Sequence, residues 1–192
     1  MKIQNRASVD LSLATRLLNL GPTTLVSSAH AGKQNVMAVT WAMPLDFNPP
    51  KVLAVINSEC YTRELIEASG EFAINIPSVA LAKATMAVGS ISGRNGDKFS
   101  ELGLTYSSGQ KISSPLVDEC LGWLECRVIS EPANQKKYDL FIGEVVAAWA
   151  DPDVFSNGCW HFKDESHRTI HYLSDGAFFS IGEPFVVDST SK

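Results

Sequence analysis

The chain has 192 residues, 45% of them apolar and 19% charged, with a formal charge of −5. These values fit one globular unit spanning residues 1–192 and exclude a disordered chain. No basic stripe is present, so nucleic acid is not an expected partner. No apolar run is long enough to span a membrane, and Met1–Asn19 lacks the unbroken apolar stretch of a signal peptide, so the expectation is a cytoplasmic protein with no membrane association.

Along the chain, Gly21-Pro22 signals a turn. Thr23–His30 and Asn35–Ala42 are rich in β-formers and flank a turn at residues 31–34, which predicts a hairpin. Met43–Pro50 contains three prolines and reads as a loop. Val52–Asn57 is an almost continuous apolar run, expected of a buried strand. Thr62–Ser69 reads as a helix capped by Thr62 and closed by Gly70. Glu71–Ile76 is a strand stopped by Pro77, and Ser78–Val88 a helix. Gly89–Gly96 is a glycine-rich loop, and Asp97–Leu102 a short helix capped by Asp97. Cys120–Ser130 and Tyr138–Ala150 read as strands joined by a turn at 131–137. Thr169–Leu173 and Ala177–Ile181 form a smaller pair around Ser174-Asp175-Gly176. Many strands with only short helices between them favour an antiparallel barrel over a βαβ fold.

Several chemistries lack their signatures. There is neither a G-x-G-x-x-G after a strand nor a phosphate-binding G-x-x-x-x-G-K-[ST]. The loop GSISG has Ile91 where a hydrolase would need serine. No Cys-x-x-Cys pair exists, and the four cysteines (Cys60, Cys120, Cys126, Cys159) read as small buried hydrophobes. For Cys60, beside a candidate ligand loop, a reactive thiol is the second reading. His167 and His171 lie in a β-rich stretch, where four residues span about 13 Å, so no metal site is expected.

Four stretches could serve a phosphorylated aromatic ligand. Asn35–Pro44 could end in exposed backbone groups beside an apolar slot, or could be a plain core strand with a buried Trp41. Asn57-Ser58 followed by Tyr61-Thr62 could present a helix N-terminus to an anion, or Thr62 could simply cap its helix. The loop 90–96 with Arg94 and Lys98 could surround a phosphate, or be a solvated turn. His171-Tyr172 before Asp175-Gly176 could line a pocket rim or lie exposed on a hairpin.

In their order along the chain these stretches resemble the flavin reductase family of FMN-binding split-barrel proteins, which includes the flavoredoxins. The resemblance rests on PTTLVSSAHAGKQNVMAVTWAMPLDFNPPKVLAVIN, YTRELIEASGEFAINIP, GSISGRNGDKFSELGLTY, SPLVDECLGWLECRV, YDLFIGEVVAAW and IHYLSDGAFFSIG. It implies a mainly β fold, a Greek-key split β-barrel with a few short helices, and a homodimer with non-covalent FMN at the subunit interface. By family pattern, Thr40, Trp41, Ala42 and Met43 border the ring and ribityl chain. Asn57, Ser58 and Thr62 approach the ribityl-phosphate end, Ser92, Arg94 and Lys98 complete phosphate binding, and His171 lies near the flavin. The implied activity is that of an oxidoreductase in which NAD(P)H, a small-molecule donor, delivers hydride to FMN, and electrons pass on to free flavin or another acceptor. A flavoredoxin-like electron carrier without nicotinamide turnover is the alternative. No side chain is singled out as a general acid or base.

Overall fold

The computed structural model describes residues 5–187. In chain order the elements are β1 (Ala7–Ser8), α1 (Leu11–Ala14), β2 (Thr24–His30), β3 (Lys33–Val39), β4 (Ala42–Phe47), β5 (Pro50–Val55), α2 (Tyr61–Ser69) and β6 (Glu71–Ile76). They continue with α3 (Ala82–Ser90), α4 (Lys98–Leu102), β7 (Tyr106–Ser108), β8 (Pro115–Val117), β9 (Gly122–Ile129), α5 (Pro132–Tyr138) and β10 (Leu140–Ala150). The last are β11 (Phe155–Ser156), β12 (Cys159–Trp160), β13 (Ile170–Ser174) and β14 (Ala177–Ser180). The main sheet runs β3-β2-β6-β9-β10-β5-β4, antiparallel throughout, with β1 added against β10. The chain leaves β5 on one side of the sheet and returns through α2 to β6 on the other, and β3 and β4 end the hydrogen-bonded order. This is the mainly β split barrel that the sequence led us to expect.

Side chains alternate across the strands, as a period of two requires. Val26, Ile74, Leu124 and Cys126 face the barrel interior, where Leu17 and Leu18 join them. Their neighbours Leu25, Ala73 and Trp123 face a second core shared with Val88 of α3 and Phe99 of α4. Two-residue loops close three hairpins with both residues in the left-handed region: Ala31-Gly32, Asn157-Gly158 and Asp175-Gly176. Asn-Gly and Asp-Gly are the pairs that tolerate this backbone best.

Four local expectations need correction. Residues 43–50, expected as a loop, hold most of β4, which pairs with β5; Pro44 is accommodated because β4 is an edge strand whose outer side makes no ladder bonds, and the register shifts just beyond it. Residues 131–137, expected as a turn, carry helix α5 with Pro132 in its first turn, where a missing N–H costs nothing. The helix expected from Thr62 begins one residue earlier, with Cys60 at the N-cap position and no side chain capping it. Ser78–Val88 is divided into a 3-10 turn, Val79–Leu81, and α3. Of the cysteines, Cys120 and Cys126 are buried as expected, whereas Cys60 is half-buried and Cys159 exposed.

Glu125 on β9 is fully buried, and each carboxylate oxygen accepts two N–H donors. Oε1 takes Gln110 N (3.0 Å) and Trp149 Nε1 (2.8 Å); Oε2 takes Lys111 N (2.6 Å) and Ile112 N (3.2 Å). The carboxylate therefore pins the loop that leads into β8. Glu125→Gln must turn one amide N–H₂ against two donors. We expect a loss of about 2–4 kcal/mol of stability, read from the urea midpoint at unchanged m-value.

Candidate functional site

A hollow on the surface runs along β3 between α3, the N-terminus of α2 and the β13–β14 hairpin. Its two halves, about 260 and 230 Å³, meet at Ala38, Gly89 and Ser90. The first half is the more apolar, bordered by Ala38, Met86, Tyr172 and Phe178, with Thr23, Thr40, Thr85 and Ser90 as its polar members. The second is the more polar, with Asn35, Cys60, Tyr61, Thr62, Ser92 and Lys98 on its border beside Met37, Val88 and Ile91. The apolar half is called the slot below, and the more polar half, which Lys98 borders, the cradle.

The cradle centres on Lys98. Asp97 caps α4 by accepting from Phe99 N, and this places Lys98 at the first helical position with its side chain 3% exposed. Lys98 Nζ donates to the carbonyls of Val36 on β3 (2.9 Å) and Val88 on α3 (2.7 Å). No carboxylate pairs with it among the described residues. Burial lowers its pKa from the ordinary 10.5, and the nearby Cys60 acts in the opposite direction. An ammonium has three N–H donors; two are used, and the cradle is where the third can be met.

Two further features point the same way. Helix α2 has no side-chain cap; Arg63 N donates to Cys60 O (3.1 Å), and the amides of Tyr61 and Thr62 are left for an acceptor from the cradle. Asn35, 2% exposed, donates through Nδ2 to Thr62 Oγ1 (2.9 Å), while its Oδ1 has no partner. The two ends of the amide are nearly isosteric. In the opposite sense Thr62 donates to Oδ1 and the amide N–H turns outward, the sense an anion selects. Gly93 presses on this amide, and a Cβ there would lie 2.2 Å from Asn35 Oδ1. In the apolar half, Thr85 Oγ1 is buried without a partner and borders the slot. The hairpin that covers the slot is held by Thr23, whose N–H donates to Ile170 O (2.8 Å) and whose hydroxyl oxygen accepts from Tyr172 N (2.9 Å).

Of the residues expected from sequence, Thr40, Thr62, Ser92 and Lys98 border this groove. Trp41 is 71% and Met43 52% exposed beyond the end of β3, and Ala42 packs in the barrel core. Asn57 turns back to accept from Glu59 N (2.8 Å), and Ser58 is exposed beside it. Arg94 lines the adjoining hollow, paired with Glu64 and lying over the Tyr61 ring. His171 stacks on Phe179 (centroids 4.9 Å apart) and does not border the groove in this copy, whereas the next residue, Tyr172, does. Burial pushes the His171 imidazole below its ordinary value, opposed by the Gly21 backbone. Asn35, Thr85 and Phe178 border the groove beyond the residues expected individually from sequence. An asparagine among apolar strand residues was the one signal available for them.

The geometry thus defines a split-barrel protein with a groove along one edge strand, apolar at one end and more polar at the other. A family model described as "Flavin reductase like domain" matches residues 19–170, and the chain belongs to that family. It is 45% identical over 178 residues to the uncharacterized protein YddH of Escherichia coli K12, covering 91% of this chain and 94% of the other. Among solved structures, it is similar to an FMN-binding domain of a flavin reductases-like enzyme from Shewanella baltica OS155. That match has a TM-score of 0.93 and 45% identity, and covers 96% and 98% of the two chains. Flavoredoxin of Desulfovibrio vulgaris (Miyazaki F) matches with a TM-score of 0.76 and 26% identity, covering 89% and 91%.

Gly93→Ala is a direct probe of the cradle. The added methyl must displace the Asn35 amide and break its bond to Thr62. With FMN as the titrant, we expect affinity to fall at least about tenfold, roughly the 1.4 kcal/mol of a lost buried hydrogen bond. The thermal midpoint of the flavin-free protein should fall as well, by about 3–5 °C, because the same buried bond is lost from the fold.

Proposed function

We propose that the chain is an FMN-dependent oxidoreductase of the flavin reductase type, with FMN held non-covalently in this groove. The observation that carries the reading is the buried Lys98 ammonium, which has no carboxylate partner among the described residues and borders a cradle built of helix amides, Asn35, Thr62 and Ser92. A phosphate fits that donor set, and a flat ring fits the apolar half beyond it. When bound, FMN supplies hydride acceptance at N5 and release of the electrons to a second substrate.

The chain's own residues bind, orient and exclude water. Lys98 and the first amides of α2 fix the anionic tail. Tyr172 and Phe178 cover one side of the slot, and Thr85 offers its unpaired hydroxyl to a polar edge of the ring. NAD(P)H is the proposed donor, and free flavin or another small molecule the proposed acceptor. We also propose a homodimer. Edge strand β4 and the residue before it expose Trp41, Met43, Leu45 and Phe47 at 71%, 52%, 45% and 73%, an unpaired apolar edge that a second copy would cover. Trp41 and Met43, next along the chain after Thr40, would then border the ring at the interface, with His171 approaching from the partner copy.

The likeness to flavoredoxin of Desulfovibrio vulgaris favours one second reading, an electron carrier reduced by a protein. The described residues contain no helix long and apolar enough to cross a membrane; a cytoplasmic location is part of the proposal. The deciding assay mixes FMN-loaded protein with NADH or NADPH and follows nicotinamide oxidation at 340 nm. Turnover supports the reductase. Bound FMN that neither nicotinamide reduces, but a ferredoxin-type donor does, supports the carrier.

Two outcomes test the cradle itself. Lys98→Met should weaken FMN binding by about 1.5–3 kcal/mol, whereas Arg94→Ala should cost under about 0.5 kcal/mol because Arg94 is turned to Glu64. The binding form of Lys98 is the ammonium, which burial disfavours and an anion restores, so binding on the alkaline side takes up a proton. FMN affinity should therefore fall as pH rises from 8 through the lowered lysine value, below 10.5. Lys98→Met should abolish that slope. Above pH 8 the phosphate is already a dianion, since its second pKa is about 6, and contributes no slope of its own.

A further inference from the structure

A second hollow lies between the β11–β12 hairpin and the chain that follows β14, and shares no bordering residue with the groove on β3. Its volume is about 650 Å³, within the roughly 300–1,000 Å³ of small-molecule sites. Two local turns build it. Asn157-Gly158, both left-handed, close the hairpin that carries Trp160. Asp164 accepts from His167 N (3.2 Å) and so caps the 3-10 turn Glu165–His167, at whose end Arg168 stands.

The walls are mostly apolar. Trp160 stacks on Phe162 (centroids 5.5 Å apart, planes 16° apart), meets Phe155 edge-on (5.0 Å), and donates through Nε1 to Arg16 O (3.3 Å), so the indole is held in place. Leu20, Ile181 and Phe185 extend the apolar surface, and Phe185 is 86% exposed. Such walls suit a flat aromatic body. Arg168 supplies a cation. Its Nη1 donates to Ile181 O (3.0 Å) and its Nη2 pairs with Glu183, while Nε is buried without a hydrogen-bond partner among the described residues. In a guanidinium, the Nε–H and one Nη2–H run parallel and form a fork that fits both oxygens of one carboxylate. Glu183 meets one prong of that fork, from a side chain that is itself 80% exposed. The arginine thus keeps half of a carboxylate site unused, beside an aromatic wall.

We propose that this hollow binds a planar aromatic carboxylate. The two carboxylate oxygens take both prongs of the Arg168 fork in place of Glu183, and the ring lies against Trp160 and Phe162. Two parallel charge-assisted bonds replace one, and they satisfy the Nε that the chain itself leaves bare. The group displaced is an exposed side chain, whose ion pair contributes little to the fold. Glu183 therefore acts as an internal stand-in that the ligand must outcompete.

The test titrates the protein by calorimetry with β-naphthoate, with the neutral β-naphthamide and with inorganic phosphate, both flavin-free and in the presence of saturating FMN. The expected result is one naphthoate per chain in both forms, with a Kd of about 1 mM or tighter. The amide should bind at least about tenfold more weakly, since it cannot take the charged fork, and Arg168→Gln should weaken naphthoate by a similar factor. Glu183→Gln should tighten naphthoate about two- to fivefold, because the internal competitor loses its charge. An arginine that only braced the C-terminal segment would give no such gain, and the exposed position of Glu183 keeps this variant folded even where Arg168→Gln is not. No saturable binding of naphthoate, equal binding of acid and amide, or an unchanged affinity in Glu183→Gln would overturn the proposal. So would displacement of naphthoate by an equal concentration of phosphate, or binding that FMN abolishes, which would put the probe in the slot. None of these outcomes bears on whether FMN itself binds.

Discussion

The site depends on one buried positive charge. Moving an ammonium out of water costs several kcal/mol even after the protein relaxes around it. Lys98 recovers part of that cost from two backbone carbonyls, one on β3 and one on α3. These bonds join the edge strand to the helix across the groove, so the charge that needs an anion also sets the width of the place where the anion would sit. A carboxylate partner would have cancelled the charge; the cradle instead offers amides, hydroxyls and an asparagine.

The rest of the barrel holds that arrangement still. Asn75 on β6 donates to Leu25 O (2.9 Å) and Ser27 Oγ (3.1 Å) and accepts from Val117 N (2.8 Å), locking β2, β6 and β8 together. Arg63, 8% exposed, donates to Ile56 O (3.1 Å) and Gln135 O (2.9 Å), pairs with Glu67 and Asp139, and lies over Phe141. It fixes the angle at which α2 leaves β5, and so aims the helix N-terminus at the cradle. These buried polar contacts link elements far apart in the chain, which suits a rigid scaffold carrying a site on its edge.

What the sequence made legible was local. Glu71–Ile76 before Pro77, the Asp97 cap, the Gly70 helix stop and the Asp175-Gly176 turn each depend on a few neighbouring residues, and each has its expected place. Prolines obscured β4, because a proline says only that one N–H is missing and not whether the strand has a partner on that side. At the site, Lys98, Thr62, Ser92 and Thr40 were legible through motif order. Thr85 and Phe178 were not, since their place at the slot follows from how α3 and the C-terminal hairpin pack on β3. Arg94 shows the limit of reading charge from a loop. Its partner Glu64 lies thirty residues away, and only the fold brings the two together.

Membership of the flavin reductase-like family and the likeness to an FMN-binding relative from Shewanella baltica agree with a groove that has a polar end, an apolar end and buried atoms left without partners in both. The most direct test is the visible spectrum of the purified protein after saturation with FMN and gel filtration. The account expects oxidised-flavin absorption to co-elute at one FMN per chain and to be released intact on denaturation. A protein that elutes colourless after saturation would contradict it.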